Sequence, residues 1–259
     1  MSNFVLKTAL TILLMVLLLD TQTYSLPERG GQLTIAVASN VLQPMQELAG
    51  VFEKESGYHV NISAGSTGKH YAQIKNGAPF DVFMAADSLR PRLLEEAGYT
   101  ADDSDSRITY VLGNLVLWSK EPGDKDCLQR LKDDQFLHIA IANPETAPYG
   151  MAAKQVLIKL GLWDAVREKL VVGENISHTF QYIQSGNAQL AFVAASQLAS
   201  IDNAEGCRWN VATSYHEPLV QQAVWLKSAE HPSSAKAFMT FLQSISAREI
   251  FQDYGYGLP

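Results

Sequence analysis

The chain has 259 residues, 47% of them apolar and 18% charged, with a formal net charge of −7. That length holds one large domain or two smaller ones, each able to bury a workable core. The acidic balance argues against nucleic acid as a partner, because the field of the whole molecule repels anions rather than drawing them in.

In chain order, residues 1–25 read as a secretory signal: Lys7 precedes the apolar run Ala9–Leu19, and Thr23-Tyr24-Ser25 offers a cleavage site. The run is 11 residues long, short of the roughly 20 needed to span a bilayer. No Cys lies near the cleavage point, so a lipid anchor is not expected and residues from 26 onward are expected in an oxidising compartment.

Strands are expected at 33–38 (LTIAVA), 58–63 (YHVNIS), 81–85 (DVFMA), 137–142 (LHIAIA), 169–172 (KLVV) and 189–194 (QLAFVA). Between the first two, Leu42, Met45, Leu48, Ala49 and Phe52 recur at helical spacing; Ala153, Val156, Leu157 and Leu160 do the same ahead of a stopping Gly161. This alternation predicts an α/β fold with largely parallel sheets. One long strand over 108–118 (ITYVLGNLVLW) and a later one over 218–226 (PLVQQAVWL) bracket the middle third, and helices near 235–242 and 247–254 finish the chain. The order places one lobe at 26–110 plus 227–259 and a second, inserted lobe at 111–226, with a cleft between them as the natural ligand site. No internal repeat or low-complexity segment is evident.

Ligands of open α/β sheets gather beyond the carboxyl ends of the strands, where helix N-termini present free N–H groups. The residues following the strands here are Ser39-Asn40, Ser66-Thr67, Ala86-Asp87, Asn143 to Tyr149, and Asn175-Ile176-Ser177. Most are ordinary helix caps taken singly. Several such turns on one rim of two lobes describe an anion site built from neutral donors. The turn A-G-S-T-G-K-H at 64–70 is not a nucleotide loop, since Ser63 stands where the first Gly is required and His70 follows Lys69 in place of Ser or Thr.

The segments AVASN, AGSTGKHYAQIKNGAPFDVFMAAD, IANPETAPYGMAAKQVLIKLG and GENISHTFQYIQSGNAQLAFV together resemble the periplasmic molybdate-binding proteins of ABC importers, over essentially the whole chain after the leader. The resemblance implies a two-lobed α/β solute-binding fold of type II, with the ligand cleft between lobes joined by crossing strands. It implies a tetrahedral oxyanion, molybdate or tungstate, held by hydroxyls and main-chain N–H groups without a basic side chain. By position, Ser39 matches the family's first hydroxyl ligand, and Asn40 the asparagine of one branch. Thr67 stands where the second hydroxyl is usually serine, and Ala86 and Ile176 match positions that serve through backbone N–H. Tyr149 matches members that supply a phenol from this turn; others place a tyrosine after the strand ending here at Val193, where this chain has Ala194. The implied partners are the ion and a membrane permease, with no cofactor, no catalytic residue and no direct cation site; a monomer in the periplasm is expected.

Other residues invite roles that the pattern does not support. A cation at Lys69 opposes the dipole of the helix it begins, so contact with the ion is not expected of it. The six His show no i, i+4 pairing and no His-Glu-x-x-His. Asp81 and Asp87 flank a strand and are read as local caps or ion-pair partners. Cys127 and Cys207, both in the second lobe, allow a single pairing, which sequence alone leaves open. Two rival functions stand beside the molybdate receptor: a receptor for sulfate or another small oxyanion, and an exported hydrolase using Ser39 or Ser66.

Overall fold

A computed structural model describes residues 31–121, 126–199, 201 and 206–259; the leader expected at 1–25 lies outside the described residues. β1 (Gln32–Ala38), β2 (His59–Gly65) and β3 (Val82–Met84) run parallel to one another. β4 (Arg107–Gly113) is followed after one residue by β5 (Leu115–Ser119), which belongs to a second sheet. In that sheet β6 (Ile139–Ala142), β7 (Leu170–Gly173) and β8 (Leu190–Ala194) are parallel, and β9 (Cys207–Asn210) lies antiparallel to β5. β10 (Leu219–Trp225) returns to the first sheet, antiparallel between β3 and β4. The strand orders are β2-β1-β3-β10-β4 and β7-β6-β8-β5-β9, so in each sheet four strands run one way and a single strand, β10 in the first and β5 in the second, runs against them. The sheets are therefore largely parallel in strand direction, as expected, and mixed through that one reversed strand.

Two expectations change here for one reason. The apolar run over 108–118 is two strands, because Gly113-Asn114 ends one ladder and Leu115 opens another in the other lobe. Residues 111–113 and all of β10 are hydrogen-bonded into the first sheet, not the second. The ladders thus part at Asn114 and between β9 and β10, inside the boundaries drawn at 110/111 and 226/227.

Each sheet is covered on both faces, which is why its central strands read as continuous apolar runs rather than alternating ones. In the first lobe Leu33, Ile35 and Val37 pack against Met45, Phe52, Phe238 and Phe251, while Ala36 and Phe83 meet Ile74 and Leu94 on the other face. In the second, Leu117, Ile141 and Phe192 fill one face and Val116, Trp118 and Val193 the other. Burial of a side chain such as Phe238, wholly out of water, contributes about 1.5–3 kcal/mol. Among the described residues no helix is long and apolar enough to cross a membrane.

Cys127 and Cys207 are bonded, with Cα atoms 5.2 Å apart, tying the first turn of the helix Cys127–Lys132 to the start of β9. The bond closes a loop across 80 residues, for which chain entropy predicts on the order of 4 kcal/mol. Denaturant unfolding of the Cys127→Ala/Cys207→Ala double variant is expected to show a loss approaching that size. An unchanged unfolding midpoint would show that the bond does not constrain the unfolded chain.

Candidate functional site

The parallel strands of both lobes end at the same cleft, and the turns that follow them enclose a small cavity with about 190 Å³ of free space, its mouth included. All six residues singled out from the sequence border it: Ser39, Asn40, Thr67 and Ala86 from the first lobe, Tyr149 and Ile176 from the second. None of its lining residues carries a charge. The lobes meet around it, since Ser177 Oγ donates to Ser39 O at 3.2 Å and Ser196 Oγ donates to Asn40 O at 2.9 Å. This is a closed cleft.

An α-helix leaves its first four N–H groups without intrahelical partners, and here most of them can be traced. In the helix Thr67–Lys75, Gly68 N donates to Thr146 O of the opposite lobe (2.8 Å), Lys69 N to the Ser66 cap hydroxyl (3.4 Å) and His70 N to Ser66 O (3.1 Å). In the helix Ile176–Gln184, the Asn175 side chain accepts from Ser177 N at 2.9 Å and His178 N at 3.1 Å, and Thr179 N donates to Asn175 O at 3.1 Å. What remains, without a partner among the described residues, is the leading N–H of each helix, at Thr67 and Ile176. Both residues line the cavity. The 3-10 turn Ser39–Val41 brings a third N-terminus to it.

The side chains are aligned by the groups they accept from. Thr67 Oγ1 accepts from Ala86 N at 3.0 Å, which leaves its own hydrogen as a donor. The Ala86 N–H is therefore engaged inside the protein, and its part is to orient Thr67 rather than to face the cavity, a change from the sequence expectation. Tyr149 is fully buried, and its hydroxyl accepts from Gln221 Nε2 at 3.2 Å, so its hydrogen too is left to donate. Burial, with Tyr256 close by, holds the Tyr149 phenol well above its ordinary range and keeps it protonated. Asn40 differs: its amide nitrogen donates to Gln221 Oε1 and to the Tyr256 hydroxyl, both at 2.9 Å. No side-chain N–H is left over, so Asn40 offers the cavity its main chain, while its Oδ1 stays buried without a partner among the described residues.

Gln221, Tyr256, Ser196 and Thr146 were not foreseen. Gln221 had a sign, a polar pair Gln221-Gln222 inside an apolar strand; it sits at a bulge in β10 and is wholly buried. Lys69 points across the rim to Glu174, with Nζ 2.7 Å from Oε1, and does not line the cavity. Asp87 caps and pairs locally with Arg90. Asp81 instead makes long-range contacts, accepting from Thr34 N at 2.7 Å and His231 N at 3.0 Å. Ser39 Oγ accepts from Ser177 N at 3.4 Å, and no His or carboxylate lines the cavity to activate it. Among the described residues no group of three His, Cys, Asp or Glu is placed to hold a metal ion.

Residues 33–257 match the family model described as bacterial extracellular solute-binding protein. The chain is 45% identical over 232 residues to the molybdate-binding protein ModA of Azotobacter vinelandii, covering 89% of this chain and 91% of that one. It is 40% identical to the molybdate-binding protein ModA of Rhodobacter capsulatus, covering 90% of each. Among solved structures, the Azotobacter vinelandii periplasmic molybdate-binding protein superposes with a TM-score of 0.83 at 40% identity, covering 88% of this chain and 99% of that one.

His70 lies one turn below the cavity, 3% exposed, with Nδ1 3.1 Å from Gln73 Oε1 and the ring against Phe80 and Phe83. Burial lowers its pKa from the ordinary 6.5. Below pH 6.5 the unfolded chain therefore binds a proton that the native state does not, and stability falls as pH drops from there toward the lowered native value. Unfolding free energies at pH 7.5 and pH 5.5 should differ less in His70→Gln than in the wild type; an equal difference would remove His70 as a source.

Proposed function

The chain belongs to the bacterial extracellular solute-binding proteins and, within them, to the molybdate-binding proteins; on that footing we propose that it captures molybdate and delivers it to the membrane permease of an ABC importer. The supporting observation is an uncharged cavity, closed between two lobes, into which hydroxyls and unpartnered helix N-termini converge. Molybdate is a dianion with four acceptor oxygens and no donor, the complement of such a wall. Ser39, Thr67 and Tyr149 give hydroxyl hydrogens, while Asn40, Thr67 and Ile176 give main-chain N–H. Ala86 acts behind Thr67. Helix N-termini carry partial positive charge at short range, which offsets a net charge of −7 spread over the whole surface.

Tungstate has the same charge and shape and nearly the same size, so it binds as well. The working form is a monomer in the periplasm. Sulfate shares the charge but is smaller, and fixed donors spaced for the larger ion reach it less well. An exported hydrolase has less support, since the relatives are binding proteins and Ser39 lacks a general base in the cavity.

Calorimetry with molybdate, tungstate, sulfate and phosphate side by side tests this, with the first two expected to bind most tightly. Ser39→Ala, Thr67→Ala and Tyr149→Phe should each weaken molybdate binding roughly tenfold to a hundredfold, the scale of one hydrogen bond to a charged group. Lys69→Ala should change it far less. Loss of binding in Lys69→Ala with the three hydroxyl variants intact would replace the neutral-donor site by a charge-paired one.

A further inference from the structure

The turn A-G-S-T-G-K-H has a part that the anion shell does not use. Gly68 and Lys69 lie in the first turn of the helix Thr67–Lys75, and neither lines the cavity. Both nevertheless touch the opposite lobe. Gly68 N donates to Thr146 O at 2.8 Å, and a methyl group built on Gly68 would stand 2.9 Å from both Thr146 Cα and Thr146 O. Lys69 Nζ sits 2.7 Å from Glu174 Oε1, and nearby Arg90 Nη2 donates to Glu145 O at 3.1 Å. These contacts form a rim outside the cavity, made only when the lobes are together.

We infer that Gly68 is the latch of the closed cleft: its missing side chain lets the two backbones meet, and this contact sets how long the ion is held, separately from the donors that select it. The inference rests on the receptor function proposed above.

Magnitudes decide which rim contact matters. The Lys69 and Glu174 side chains are 51% and 45% exposed, so their pair behaves as a surface ion pair, worth at most about fivefold and weakened by salt. The Gly68 contact is different in kind. The atoms facing it are backbone atoms of Thr146, which cannot rotate aside, and real Cβ atoms do not approach others below 3.0 Å. A side chain at 68 must push the lobes apart, which breaks the hydrogen bond and moves Tyr149 and Ile176 away from donors on the first lobe. Lys69 supplies direction: in the open cleft its charge stands unpaired at a helix N-terminus, and closure brings Glu174 to it.

The test is stopped-flow and calorimetric binding of sodium molybdate to the wild type, Gly68→Ala, Gly68→Ser and Lys69→Ala, with small-angle scattering at saturation. Gly50→Ala is the control, since Gly50 lies in the helix Leu42–Ser56 with nothing within 4 Å of a built Cβ. Ala is the better helix former, so Gly68→Ala should not weaken the first lobe, and unfolding curves check this. Both Gly68 variants are expected to release molybdate about tenfold faster or more, with little change in association rate and without the compaction seen in the wild type. Lys69→Ala should release it less than about fivefold faster, and Gly50→Ala at the wild-type rate. Wild-type protein that binds molybdate, together with Gly68 variants that compact and release as it does, overturns the latch alone. Wild-type protein that binds none of the four oxyanions overturns the receptor function and the latch with it.

Discussion

The structure depends on N–H groups that helices cannot satisfy by themselves. Two helix starts, at Thr67 and Ile176, are brought face to face by the carboxyl ends of strands in separate sheets. Their caps satisfy all but the leading positions: Ser66 and Asn175 take the N–H groups deeper in the turn, and Gly68 N crosses to Thr146. A cap that took every donor would make more stable lobes and leave nothing for an ion to bind. Incomplete capping at the cleft is thus a local loss of stability, and it is confined to the surface that a bound dianion would cover.

Behind the donors lies a second layer that keeps them pointing inward. Gln221 joins Asn40, Tyr110 and Tyr149 in one buried network, while Tyr256 and Ser196 hold Asn40 from the other side. Gln221 lies on β10, which returns the chain to the first sheet, and Gly113 lies at the first crossing; a methyl on Gly113 would stand 2.4 Å from the Tyr149 hydroxyl and 2.5 Å from Gln221 Nε2. The strands that join the lobes are therefore also the strands that set the phenol. Any shift of the lobes at the crossing would therefore reach Tyr149 through these few atoms.

What sequence could show follows from how local each signal is. Strands buried on both faces appear as apolar runs, and caps appear as Ser, Thr or Asn before a helical period, so most strands and the turns after them were legible, whereas the short β9 was not; the six residues that border the cavity were picked out of those turns by the family resemblance. The family resemblance supplied which turns face one another. Gln221 left only the polar pair in an apolar strand as a sign, and its role was not legible, because its partner Asn40 is 181 residues away. The engagement of Ala86 N by Thr67 depends on the approach of two strand ends, which composition does not encode. The break at Asn114 was hidden because both halves of 108–118 are apolar, and only ladder partners distinguish them. The contact of Gly68 with the other lobe was not legible, because a glycine is equally suited to a turn beside an anion and to admitting another backbone; its neighbour in space, Thr146, shows the second.

A receptor that must also release its ion gains from neutral donors. An Arg or Lys facing the cavity would hold a dianion strongly when closed, but on release it would leave a partly buried charge without its partner, at a cost of several kcal/mol. Hydroxyls and N–H groups exchange the ion for water with a far smaller penalty, since water accepts the same hydrogen bonds when the cleft opens. The charged residues are accordingly kept on the rim, where Lys69–Glu174 and Asp87–Arg90 remain in contact with solvent. Selection by the inner wall and retention by the rim are then separable, and the division lies within a single helical turn: Thr67 faces the cavity, and Gly68 and Lys69 face the other lobe.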